Sequence, residues 1–259
     1  MEHKTGPTDH LAPAGRGGSV YVCVRCVAEW VGALAMLALA LPLMAGVAVA
    51  VGLTSPGPVF YSQMRLGKGG RLFRIYKFRT MRDRCEAATG PVWSGANDPR
   101  VTRVGKWLRD THIDELPQLW NVLRGEMSLI GPRPERPEIA AKIERALPEF
   151  RDRLSVRPGL SGLAQVLLPP DADLQTVQNK LAHDLEYLRC AGPGLDLRIA
   201  LATVLCLARL GPRAAGWPVR HFACFPPLKM SLAGDVPVAG AASTEGVEAP
   251  ITAEAPLAA

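Results

Sequence analysis

The chain carries no charged residue between Trp30 and Met64, and the apolar part of this stretch runs from Val31 to Leu53. At about 1.5 Å of rise per residue, a helix of that length reaches across the hydrocarbon of a bilayer. A buried core helix and a secretory leader cleaved near Ala48-Val49-Ala50 share the pattern and are the alternatives. Pro42 sits near the middle, where it removes a backbone donor and crowds the preceding turn, so a kink or break is expected there. Both flanks are basic: Arg16 and Arg25 precede the run, and Arg65, Lys68, Arg71, Arg74, Lys77 and Arg79 follow it. Positive flanks favour the cytoplasmic side. A straight span cannot put both there, whereas a helix that enters, breaks at Pro42 and returns can. The sequence therefore predicts a broken re-entrant membrane helix over 19–54.

The remainder has the composition of a folded domain. The chain has 259 residues, a hydrophobic fraction of 48% and a net charge of +6. That is too apolar for a disordered chain. No basic residue follows Lys229, and Asp235, Glu245, Glu248 and Glu254 make that end acidic, so the body is more basic than the average. A basic body points to phosphate-bearing partners. Nucleic acid is not among those expected, because aromatic residues do not interleave with the cations as a base-stacking surface needs. Cys23 and Cys26 stand as C-x-x-C without a second pair at zinc spacing, which favours a reduced, cytosolic setting. Segments 1–18 and 231–259 read as disordered tails, leaving one domain over 55–230.

Within that domain the pattern predicts an α+β fold, mostly helical. Val59-Phe60-Tyr61 and Leu72 to Phe78 have strand character around a Gly67-Lys68-Gly69-Gly70 turn, which gives a small β-hairpin. Val101, Val104, Trp107 and Leu108 fall at helical spacing. Leu116, Leu119, Trp120 and Leu123 predict a helix from Asp114, with Asp114 as N-cap, Pro117 in the first turn and Gly125 as the stop. Further helical patterns cover 138–147, 177–189 and 196–210.

Several residues could carry chemistry. Asp114 and Glu115 are adjacent acids at a helix start, where the dipole favours ionisation. An ionised carboxylate can attack phosphorus or hold Mg²⁺; plain capping is the competing explanation. Arg133 lies between Pro132 and Pro134, so its fork is placed with little freedom left to lose and suits a bidentate phosphate contact. Lys77 and Arg79 share one face of a strand, which could meet a diphosphate, lipid headgroups or only water. Arg100 closes the mixed-charge turn Asn97-Asp98-Pro99-Arg100. His112 has no second histidine at metal spacing and reads as structural. No glycine-rich nucleotide loop opens a helix.

The ordered blocks Ser55-Pro56-Gly57-Pro58, Tyr76-Lys77-Phe78-Arg79-Thr80-Met81, Asn97-Asp98-Pro99-Arg100, Asp114-Glu115-Leu116-Pro117-Gln118-Leu119-Trp120-Asn121-Val122 and Met127 to Pro134 closely resemble the bacterial sugar transferases. These are the monotopic polyprenyl-phosphate phosphoglycosyl transferases. Arg157 to Gln165 and His183-Asp184-Leu185-Glu186-Tyr187 extend the resemblance, which covers roughly Cys23 to Leu210. It implies transfer of a sugar-1-phosphate from a UDP-sugar to polyprenyl phosphate, with release of UMP. Asp114 would be the nucleophile, forming a covalent phosphosugar intermediate, and Glu115 would assist. Lys77, Arg79, Arg100, Arg133 and Asp184 would contact substrate, and Asp114 and Asp184 would hold Mg²⁺. The implied location is the cytoplasmic face of the bacterial inner membrane, as a monotopic protein with room for a homodimer. The chain departs from the family pattern at Glu29, Leu41 and Leu163, where Asp, Ser and Trp are usual. A membrane-tethered basic binding module without activity is the alternative function. A glycosidase fits poorly, since neighbouring carboxylates cannot flank one scissile bond.

Overall fold

The computed structural model describes residues 19–83, 85, 98–168, 174–208 and 219. The tails at 1–18 and 231–259, Asn97 and the last residues of the helix expected over 196–210 lie outside the described residues.

Helix α1 spans Ser19–Thr54 as one element of 36 residues. One stripe of it packs on the domain along its whole length. Near its start, Tyr21 and Arg25 reach Asp196. Further on, Ala33 and Leu37 pack with Phe73, Ile75, Leu119, Val122 and Met127. Towards its end, Met44, Val47, Ala48 and Val51 pack with Phe78 and Leu108. The opposite side stays apolar and open: Leu39 is 85% exposed and Leu53 is 83% exposed. The expected break at Pro42 does not occur, since the helix is assigned continuously through it. Pro42 lies on the exposed side, between residues that pack on the domain before and after it.

The domain is mostly helical with two small sheets. Strands β1 (Phe60–Leu66) and β2 (Leu72–Phe78) pair antiparallel, with Phe60 opposite Phe78 and Leu66 opposite Leu72. The expected hairpin is present, closed by a 3₁₀ turn at Lys68–Gly70 whose Gly69 and Gly70 have φ of 66° and 75°. Stacked rings of Phe60 and Phe78, 5.2 Å apart, fasten its open end. Helix α2 (Arg103–Thr111) is capped by the Thr102 hydroxyl, which accepts from the Gly105 amide at 2.9 Å.

The helix expected from Asp114 is a 3₁₀ segment, Ile113–Gln118, followed by a short α3, Leu119–Leu123. His112 reverses the chain between α2 and this segment in the left-handed conformation, at φ 58°. Asp114 is therefore inside the turn and caps nothing. Gly125, at φ 71°, stops α3 as expected.

Strand β3 (Ser128–Ile130) then pairs in parallel with β4 (Gly159–Ser161). The chain between them forms α4 (Pro137–Ala146) and a 3₁₀ stretch, Pro148–Ser155. Gly131 and Gly159 let the two backbones touch, because a Cβ on Gly159 would land on Gly131. Helices α5 (Leu163–Leu167), α6 (Leu174–Cys190) and α7 (Pro193–Leu207) complete the described chain. Ile139, Ile143, Leu147, Phe150, Leu181 and Leu185 form one core, which joins α4 to α6.

Gly105 is buried where α2 crosses the end of the hairpin, and a Cβ there would strike the Thr80 carbonyl. Overpacking of that kind costs about 1–3 kcal/mol. Gly105→Ala should therefore lower the melting temperature by several degrees, measured by calorimetry at constant detergent.

Candidate active site

Glu115 gathers the site. Its Oε1 accepts from Lys77 Nζ at 2.7 Å and from Arg133 Nη2 at 2.6 Å, and its Oε2 accepts from Arg133 Nη1 at 3.3 Å. Three separate parts of the chain meet there: β2, the 3₁₀ turn and the loop after β3. Asn121, which is 0% exposed, fixes the strand that carries Lys77. Its side-chain amide accepts from the Tyr76 amide at 3.3 Å and donates to the Arg74 carbonyl at 2.8 Å, as a further strand would.

Asp114 sits beside this triad, 7% exposed, with no hydrogen bond to any described residue. Its neighbours set the two acids apart. Burial opposes charge on Glu115, but the Arg133 and Lys77 cations override it and hold that carboxyl well below the usual glutamate range. At Asp114 burial wins. Lys77 pulls its carboxyl down, the Glu115 charge pushes it up, and it ends above the usual aspartate value. Burial likewise draws Lys77 below the ordinary lysine range against the pull of Glu115. The result is one acid saturated by two cations next to one whose oxygens are unengaged.

The other expected site residues are committed elsewhere. Arg79 is buried and donates to the Ser55 carbonyl at 2.6 Å and to that of Pro56, so it ties the turn after α1 to the hairpin. Arg100 forms a fork with Asp98, Nη2 to Oδ2 at 2.6 Å, which closes its own turn. Asp184 is buried and ion-paired with Arg153 at 2.7 Å. That same arginine donates to the Arg133 carbonyl at 2.7 Å, so Arg153 links Asp184 to the site. Among the described residues no three metal-ligating side chains converge. Mg²⁺ commonly takes one or two carboxylates and completes its shell with substrate phosphates and water. Asp114 alone of the pair could supply such a ligand.

Sequence reasoning missed the arginines that hold the loop carrying Arg133. Arg65 donates to the Pro134 carbonyl at 3.1 Å, and Arg25 to that of Ile130 at 2.6 Å. An arginine that binds a backbone carbonyl leaves no mark in spacing. A shallow open hollow lies beside that loop, lined in part by Arg133, Arg153 and Phe150.

The profile of the bacterial sugar transferases matches residues 20–209. The chain belongs to that family. It is 42% identical over 205 residues to the UDP-glucose:undecaprenyl-phosphate glucose-1-phosphate transferase of Caulobacter vibrioides, covering 77% of this chain and 76% of the relative. It is 43% identical over 185 residues to the UDP-N-acetylgalactosamine-undecaprenyl-phosphate N-acetylgalactosaminephosphotransferase of Aeromonas hydrophila, covering 71% of this chain but 44% of the relative. In the Xanthomonas campestris glucose-1-phosphate transferase the matched part is 34% of the relative, at 41% identity. The chain thus spans less than half of these last two sugar transferases.

Two measurements check the electrostatics. In carbon-13 NMR titration Asp114 should titrate above ordinary aspartates; Glu115→Gln should move it down by removing a like charge, and Lys77→Met should move it up. Asp114→Asn should raise the melting temperature at neutral pH. Folding favours the protonated form of a carboxyl whose folded pKa lies above its unfolded one, so the ionised acid weakens the fold. The gain should shrink as pH falls through the folded-state pKa of Asp114.

Proposed function

We propose that this sugar transferase moves a sugar-1-phosphate from a UDP-sugar to polyprenyl phosphate and releases UMP. The observation that carries the reading is Asp114: a carboxylate with unengaged oxygens, beside a triad whose cations can screen incoming phosphates. In the first step an Asp114 oxygen attacks the phosphorus that bears the sugar. A carboxyl–phosphorus bond forms, the bond to the bridging oxygen breaks, and that oxygen leaves with UMP. In the second step a phosphate oxygen of the lipid attacks the same phosphorus, which frees the Asp114 carboxylate and leaves a lipid diphosphate sugar. Arg133 and Lys77 face the charge that builds on the transferring group, and Glu115 keeps both in place. Mg²⁺ would bind through Asp114 and the donor diphosphate and add positive charge there.

The acceptor dissolves only in a membrane, which suits α1. Both its ends pack on the same domain, so a straight crossing would drag the domain into the lipid. We place α1 in the cytoplasmic leaflet with its open apolar side in lipid and both flanks in the cytoplasm. Both flanks then share one side, as the re-entrant path required, while the helix lies along the leaflet instead of entering and returning.

With Mg²⁺ present, purified protein should release about one equivalent of UMP from a UDP-sugar on its own and many equivalents only when undecaprenyl phosphate is added, with UDP-glucose and UDP-N-acetylgalactosamine the first donors to try. Asp114→Asn should lose turnover and covalent labelling by radiolabelled donor; a variant that keeps both would overturn the nucleophile assignment. Thiol probes at cysteines placed at Arg16 and at Lys68 should both react from the cytoplasmic side, and reaction from opposite sides would establish a straight span.

A further inference from the structure

We infer that Arg25, a residue of the membrane helix, is a positioning residue for Arg133. This rests on the reading above, in which Arg133 faces the transferring phosphate.

Arg25 stands nearly two turns before the apolar run and divides its guanidinium between Glu29 of its own helix and three groups of the domain. Its Nε donates to Glu29 at 3.0 Å. Its Nη1 lies 3.4 Å from the Asp196 carboxylate. Its Nη2 donates to the Ser128 hydroxyl at 2.9 Å and to the Ile130 carbonyl at 2.6 Å. Two acids flank the cation, and Ser128 donates in turn to Glu29. Tyr187 braces Asp196 from α6 at 3.0 Å. The fork is thus fixed in direction, and the group it is aimed at is the last carbonyl of β3.

That carbonyl matters because it stands at the root of the arginine loop. Ile130 leads through Gly131 and Pro132 to Arg133, whose guanidinium grips Glu115. Gly131 has no side chain to wedge it, and the two prolines leave the segment few torsions of its own. The far side of the loop is held by Arg153 at the Arg133 carbonyl and by Arg65 at the Pro134 carbonyl. Both of these belong to the soluble domain. Arg25 is the tether that comes from α1. The Arg133 fork therefore takes its position in part from how α1 sits on β3, and a displacement of about 1 Å at a charged contact can cost a hundredfold in rate.

Geometry rather than charge is the requirement. A lysine keeps the charge beside Glu29 and Asp196 but has one nitrogen and cannot serve Ser128, Ile130 and both acids together. The test uses full-length protein in nanodiscs of anionic lipid, with Arg25→Lys, Arg25→Met, Arg133→Met and the double variant Arg25→Met with Arg133→Met. Hydrogen exchange at the Gly131 amide, which bonds to Ser161, should speed up in both Arg25 variants while the α4–α6 core keeps its rate. In UMP release, Arg25→Met should lower kcat by about ten- to a hundredfold with KM for the donor within about threefold. Arg25→Lys should fall between it and the parent. The double variant should be no slower than Arg133→Met alone, because both changes remove one function. Unchanged exchange at Gly131, or losses that multiply in the double variant, would overturn the proposal. A parent protein with no UMP release would instead defeat the functional reading, and exchange at Gly131 would still decide the role of Arg25.

Discussion

Glu115 is where the chain is pulled together. A largely buried carboxylate is costly unless cations compensate it, and here the cations arrive from β2 and from the loop after β3. The pairing therefore does structural and chemical duty at once. It pins the hairpin against the arginine loop, and it occupies both cations with Glu115 so that the Asp114 oxygens stay open. Two neighbouring acids, alike in sequence, acquire different roles because one is enclosed by positive charge and the other only borders it.

The same logic recurs around the arginine loop. Arg25, Arg65 and Arg153 each give a donor to one of its carbonyls, and each is backed by an acid: Asp196, Glu135 and Asp184 respectively. Pairing keeps these guanidinium groups tolerable in partly buried positions and fixes their direction. The excess of basic residues is thus divided. Lys77 and Arg133 stand beside Asp114, and others have become scaffolding for the loop that carries Arg133.

Much of this was legible in the sequence. The apolar run, the hairpin with its glycine turn and the helices after Pro137 follow from period and punctuation. The acid pair and Arg133 announce themselves by chemistry and by the prolines around them. Other features were hidden for physical reasons. Nothing local distinguishes a proline that breaks a helix from one braced by packing on either side, so Pro42 misled. The β3–β4 pair is too short for periodicity to register, and its partners lie far apart in the chain. The carbonyls that Arg79 holds and the counter-ions of Arg100 and Asp184 were not legible either, because charge is visible in a sequence whereas its partner is not.

The packing of α1 also sets an order of events. The hydroxyl of Tyr21 bonds Asp196 across 175 positions, and Arg25 waits on the same carboxylate. During synthesis α1 leaves the ribosome long before α7 exists. The Tyr21 end of its domain-facing stripe must stay unpaired until nearly all of the described fold has been made. A helix made before the domain it packs on is thus among the last of the described elements to be completed.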